Sequence, residues 1–369
     1  MDLRLVFLLG LMLVLMGVET QNVWSSSTFA LPQSTFLGQN FDWHVWHGQI
    51  LVNKKNIRKR SLRMFDTDQS FDWVSQYGSL TFNQIALDHP MSGMNQAGLT
   101  VVASENFGEG DAKAKKRLTI NEYQWVQYQL DNYATLKEVI EHVNDIGISS
   151  LLQECHYMVC DASTQCAAFE VSIANHQLKI YSGRDFPVRI LTDTGYSDVL
   201  KKYVNYVSQG SPKFQLDPFD SNDRFLFLAV ELSAVPTPRR WQFSFDGVLS
   251  LLGAVKQPGF TQWQIAFDSA AKKIRYKTEL TNGIGLLDLT SFDFSSDTGV
   301  QAVDIHEYIT ISPKPFHVMT HEDNVKLVDE SMSYLGSVLP VGGEQKLKSY
   351  PAILNSDGDL SLKIPFKNQ

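Results

Sequence analysis

The sequence predicts an α+β protein in which antiparallel sheets carry packed helices. Two observations predict it: runs of alternating, β-rich residues arrive in adjacent groups, and helical patterns are inserted between them in groups of their own. A regular alternation of strand and helix, the mark of a doubly wound parallel sheet, is missing.

In chain order the strand patterns are 36–43, 49–53, 79–84, 99–103, 156–160, 166–172, 178–182, 189–191, 261–268, 274–280 and 285–289. They either alternate with a period of two, which points side chains to opposite faces, or are rich in β-forming residues. The helical patterns are 119–132, 135–143, 197–206, 221–233 and 239–255. Thr119 with Glu122, and Thr135 with Glu138, have the spacing of capping boxes. No internal repeat or low-complexity linker divides the chain, so residues 26–369 are expected to form a single domain.

The N-terminus speaks to compartment. Arg4 precedes a Leu5–Val18 run broken only by glycine. That run is shorter than the ~20 helical residues a bilayer span needs, and reads as a signal peptide. Cleavage after Ser25 places Val23 and Ser25 at the two positions where signal peptidase wants small or aliphatic residues, and Ser26 becomes residue one. The competing cut near Thr20 leaves an extension ahead of Ser26. A secreted or lumenal protein, lysosomal or extracellular, is the expectation.

Composition narrows the function classes. Hydrophobic content of 43% and charged content of 20% are those of a globular protein. A formal net charge of −8 argues against nucleic acid, which demands a basic face. The basic cluster Lys54, Lys55, Arg58, Lys59, Arg60 reads as a solvated strand-loop edge. Of the three cysteines, Cys160 and Cys166 flank a turn-like DASTQ segment and can pair across two strands in an oxidising lumen, leaving Cys155 over. No N-glycosylation sequon occurs. His44 and His47 lack a third ligand partner and read as exposed or pocket-lining residues, and 355–359 (NSDGD) reads as a hairpin turn. Trp43, Trp46, Trp73 and Trp125 read as core or pocket wall.

Segments 26–31 (SSTFAL) and 38–43 (GQNFDW) are the most informative. With 77–84 (YGSLTFNQ), 93–99 (GMNQAGL), 118–125 (LTINEYQW), 191–193 (LTD), 221–225 (SNDRF), 261–263 (TQW) and 288–294 (DLTSFDF), they resemble, block by block and in order, the choloylglycine hydrolase / penicillin V acylase family. Acid ceramidase-like amidases are a more distant resemblance. The resemblance implies an N-terminal nucleophile (Ntn) hydrolase: a four-layer αββα sandwich of two antiparallel sheets with outer helices. It also implies that the first residue of the mature chain is the catalyst, that no metal or organic cofactor is needed, and that homo-oligomers are possible.

Carried over by position, Ser26 stands where the family has its nucleophilic cysteine, three residues before Phe29. Asp42 matches the aspartate that holds the α-amine, and Arg224 the arginine near the nucleophile. Gln39 replaces an arginine, and Asp193 replaces an asparagine that donates to the oxyanion. Asn95 matches a polar residue of the third block and reads equally as a turn residue. The expected reaction is hydrolysis of a nonpeptide linear amide C–N bond in an N-acylated small molecule. Ser26, Gln39 and Asp193 depart from the family pattern, and the alternative is a catalytically inactive homologue that binds or builds rather than hydrolyses.

Overall fold

The computed structural model describes residues 26–65, 68–106, 118–149, 155–172, 177–233, 244–308, 314–336 and 339–350. Two large antiparallel sheets face each other. The first has six strands in the order Ile190–Leu191, Ser27–Ala30, Phe36–Asp42, Thr261–Asp268, Lys273–Thr278 and Gly285–Asp288. The second has nine: Gln177–Ser182, Cys166–Ser172, Cys155–Cys160, Thr100–Glu105, Pro90–Asn95, Ser79–Asn83, Gln49–Asn53, Gln301–Asp304 and His317–Val318.

The inner faces meet in one continuous buried cluster. Phe82 of the larger sheet sets its ring edge-on to Phe267 and Tyr276 of the smaller. Polar contacts also cross the gap: the Thr28 and Ser104 hydroxyls lie 3.1 Å apart, and Gln39 Nε2 donates to Ala103 O at 3.3 Å. Helix Glu122–Asn132 covers the outer face of the nine-stranded sheet, and helices Ser221–Ser233 and Phe245–Ala254 cover the six-stranded sheet. This is the αββα sandwich that the resemblance implied.

Local chemistry explains where elements begin. Thr135 and Glu138 form the expected capping box. The other expected box does not form. Thr119 pairs with Gly147 in a two-stranded parallel ladder, and Asn121 caps the helix by accepting from Tyr123 N and Gln124 N. Extended backbone at Asn121 leaves its short side chain free to reach back, which a strand-paired Thr119 cannot do. Of the helix expected over 239–255, residues 239–243 lie outside the described residues, and Phe245–Ala254 is helical, with Ser244 Oγ accepting from Gly247 N. Helices His321–Leu335 and Gly343–Ser349 and the strand Pro90–Asn95 were not anticipated.

Other expectations resolve side chain by side chain. Cys160 and Cys166 sit opposite each other in register and are disulfide-bonded, and Cys155 carries no disulfide. The basic cluster is not a solvated edge: Lys54 and Lys59 are buried, while Arg58 and Arg60 share Asp72. Lys59 has two buried carboxylates to meet, Asp88 at 2.8 Å and Asp131 at 3.1 Å, which is why it goes inside. Trp43, Trp73 and Trp125 are buried, but Trp46 is 53% exposed. His44 and His47 lie in the loop after Asp42, with His44 exposed and His47 buried against Gln84 O and Ser331 Oγ. Among the described residues no helix is long and apolar enough to cross a membrane, and no His/Cys/Asp/Glu group is set to hold a metal. The segments 1–25 and 355–359 lie outside the described residues.

Candidate active site

Ser26 is buried at the head of the Ser27–Ala30 strand. Ser27 pairs with Asn40 and Thr28 with Gln39. Continuing that antiparallel register sets Ser26 against Phe41, and puts Asp42 one step beyond, on the N-terminal side of Ser26. The strand register therefore brings the backbone of Asp42 next to that of Ser26.

Asp42 is fully buried. Its Oδ2 accepts from Gln257 Nε2 at 2.7 Å. Its Oδ1 has no hydrogen-bond partner of good geometry among the described residues. Burial pushes its pKa from 3.8 up to about 7, against the opposing pull of the Arg224 charge.

Arg224 is the site's buried cation. It projects from the first turn of the Ser221–Ser233 helix, and all of its charge is spoken for within the protein. Nε donates to Ser27 Oγ at 3.0 Å, Nη1 to Pro218 O at 2.8 Å and Nη2 to Asp193 Oδ2 at 2.6 Å. Asp193 is therefore engaged as an acceptor in a buried ion pair. Three of the four expected residues, Asp42, Asp193 and Arg224, thus form one electrostatic cluster, joined to the fourth, Ser26, through its neighbour Ser27.

The loop that carries Asp193 is fixed from both sides. Ser221 Oγ accepts from Thr194 N and donates to Thr192 Oγ1. On the far side, Gly195 offers helix Tyr196–Ser208 no side-chain cap, and Glu170 from the other sheet supplies one, accepting from Tyr196 N at 2.6 Å. His156 Nδ1 backs that carboxylate at 3.3 Å, and Glu170 is held below the usual carboxylate range in spite of its burial.

Gln39 and Asn95 do different work from the four. Gln39 is buried and spans the two sheets through Ala103 O. Asn95 organises a turn: Oδ1 accepts from Ala97 N and Leu99 N, and Nδ2 donates to Leu130 O and Tyr133 O. Asn106 was missed. It lies just past the Thr100–Glu105 strand, buried, with its Oδ1 unpartnered among the described residues and 3.9 Å from where a Gly195 Cβ would sit. Nothing in its local sequence sets it apart; its place depends on the cross-sheet contact of nearby Ser104. A cavity of about 290 Å³ lined by Ala30, Arg189, Tyr203 and Leu232 takes in none of these residues.

Comparison with known proteins bears on this arrangement. No curated protein matches the sequence. Among solved structures, penicillin V acylase from Agrobacterium tumefaciens superposes with a TM-score of 0.63 at 21% identity, covering 80% of this chain and 99% of that one. A point mutant of the conjugated bile acid hydrolase from Clostridium perfringens gives 0.60 at 15% identity, covering 79% and 100%. These likenesses establish the fold. The family model for linear amide C–N hydrolases, choloylglycine hydrolase family, matches residues 31–227, more than half of the chain. The chain belongs to the choloylglycine hydrolase family of linear amide C–N hydrolases.

Proposed function

We propose that the protein is a secreted amide hydrolase that cleaves a nonpeptide linear C–N bond of an N-acylated small molecule, with Ser26 as the first residue of the mature chain and its nucleophile. One observation carries this reading. The buried Asp42 touches no cation among the described residues, and continuing the strand register sets its backbone next to that of Ser26. Burial raises its carboxyl to about 7 against the pull of the Arg224 charge, and a free α-amine, whose own pKa is about 7.7–8.0, is a cation that would stabilise its charged form.

The chemistry follows from those two groups. The neutral α-amine of Ser26 takes the Oγ proton as Oγ attacks the amide carbonyl. The C–N bond then breaks as that proton passes to the leaving nitrogen, and an acyl ester remains on Ser26. Water attacks the ester and gives a proton to the amine, which returns it to Ser26 Oγ as the acyl C–O bond breaks and the acid is released. Asp42 orients the amine and stabilises its protonated form. Arg224 and Asp193 act together: Asp193 holds the guanidinium, and Arg224 fixes the Ser27 hydroxyl next to the nucleophile. A carboxylate engaged by a guanidinium is a poor oxyanion donor.

The Arg224–Asp193 pairing and the neutral Gln39 favour a second reading, in which the same fold binds an acyl amide without turning it over. Ser26→Ala separates the two. Turnover of an acyl amide by the wild-type protein, lost in Ser26→Ala while the ligand still binds, supports the hydrolase. Binding without turnover by the wild-type protein across pH 4–9 supports the second reading.

A further inference from the structure

Three elements bring Ser26, Asp193 and Arg224 together, and their far ends line the cavity of about 290 Å³. Ala30 closes the strand that Ser26 heads. Arg189 leads into the Ile190–Leu191 strand, which runs on to Asp193. Ala229 and Leu232 belong to the helix that carries Arg224 in its first turn. Tyr203 adds a ring from helix Tyr196–Ser208.

The walls are formed without a ligand. Ala30 N donates to Arg189 O at 2.9 Å, which ties two of them together. Tyr203 OH donates to Ser233 Oγ at 3.3 Å and joins the two helices. Phe186 and Val188 also line the space, and both are fixed by the buried Tyr196. Its ring packs against that of Phe186 with centroids 5.0 Å apart, and its OH donates to Val188 O at 2.9 Å.

The lining is mostly apolar, and Arg189 is the one charged residue in it. Arg189 is half-buried, and its Nη1 donates to Thr164 O at 3.0 Å. Burial lowers its pKa, and among the described residues no neighbouring anion opposes that pull. A guanidinium keeps its charge all the same, and its fork of N–H groups matches a carboxylate. We propose that this cavity is a second ligand site, separate from the one at Ser26, for a small carboxylate on an apolar body. Arg189 meets the carboxylate, and Phe186, Ala229 and Leu232 meet the body. Pockets for small molecules span roughly 300–1,000 Å³, and this one lies at the lower end, which suits an acid the size of octanoate rather than a long-chain lipid. Binding here needs no turnover at Ser26, so it stands or falls apart from the hydrolase reading.

The test is calorimetric titration of octanoate and octanamide into the secreted wild-type protein, Arg189→Gln, Arg189→Lys and Ala229→Leu, each checked for folding by its melting curve. Octanamide has the same apolar body without the charge, and leucine at 229 fills the apolar part of the cavity. Wild type is expected to bind octanoate about tenfold more tightly than octanamide, the size of one charge-assisted hydrogen bond. Arg189→Gln is expected to erase that preference, Arg189→Lys to keep part of it, and Ala229→Leu to weaken both ligands about tenfold or more. Should Arg189→Gln not fold, the preference shown by wild type and its response to Ala229→Leu decide in the same way. No octanoate binding by wild type, or equal binding of acid and amide, overturns the proposal. So does a preference that survives Arg189→Gln, or affinities that Ala229→Leu leaves untouched, since the acid then sits elsewhere.

Discussion

Two buried clusters in this protein have the same formal composition, two aspartates and one cation, and they are finished differently. In the first, Lys59 touches both Asp88 and Asp131. Trp73 Nε1 and Gln127 Nε2 donate to Asp131, and Tyr350 OH to Asp88. In the second, Arg224 forms its ion pair with Asp193, and among the described residues no cation touches Asp42, which feels the Arg224 charge at longer range. The first cluster fastens the 58–60 strand, helix Glu122–Asn132 and the end of the described chain to one another. The two clusters differ in whether the cation touches both of its carboxylates.

That contrast is easiest to break at the Lys59 cluster. Lys59→Met leaves two carboxylates buried without their cation, and is expected to cost about 3–5 kcal/mol, read from the denaturant midpoint. At the Asp42 cluster the expectation has the opposite sign. The Asp42 carboxyl is raised from 3.8 to about 7, so its contribution to stability is fully present below about pH 3.8 and is lost as pH rises through 7. In a chain extended ahead of Ser26, Asp42→Asn should therefore stabilise at pH 8, by up to about 4 kcal/mol, and do little at pH 4. Melting curves at the two pH values check this. Destabilisation at pH 8 would show that Asp42 already has a charge partner in the unprocessed chain. The smallest effect belongs to Tyr350→Phe, which strips one donor from Asp88 and should cost about 1–3 kcal/mol with the fold retained.

The sequence made the frame of the molecule legible for a physical reason. Segments such as Gln49–Asn53, Cys166–Ser172 and Thr261–Asp268 have the bounds that their β-rich runs predict. Pro90–Asn95 escaped, although equally buried strands such as Ser79–Asn83 did not, because its Pro, Ser, Gly and Asn are poor strand formers. Thr119 was misread because a capping pattern is local, while its pairing with Gly147 is not. At the site, Asp42, Asp193 and Arg224 were found through the blocks that hold them. The Arg224–Asp193 ion pair and the burial of Lys59 depend on contacts between distant segments. No spacing along the chain encodes those.

The central claim is that Ser26 carries the free amine that Asp42 awaits. The direct measurement is the N-terminal residue of the mature protein, taken by mass spectrometry of its terminal peptide from secreted material. The account predicts a chain that begins at Ser26 with an unmodified amine. A mature chain that begins upstream, at residue 21 for instance, would leave that nitrogen in a peptide bond and contradict the proposed mechanism.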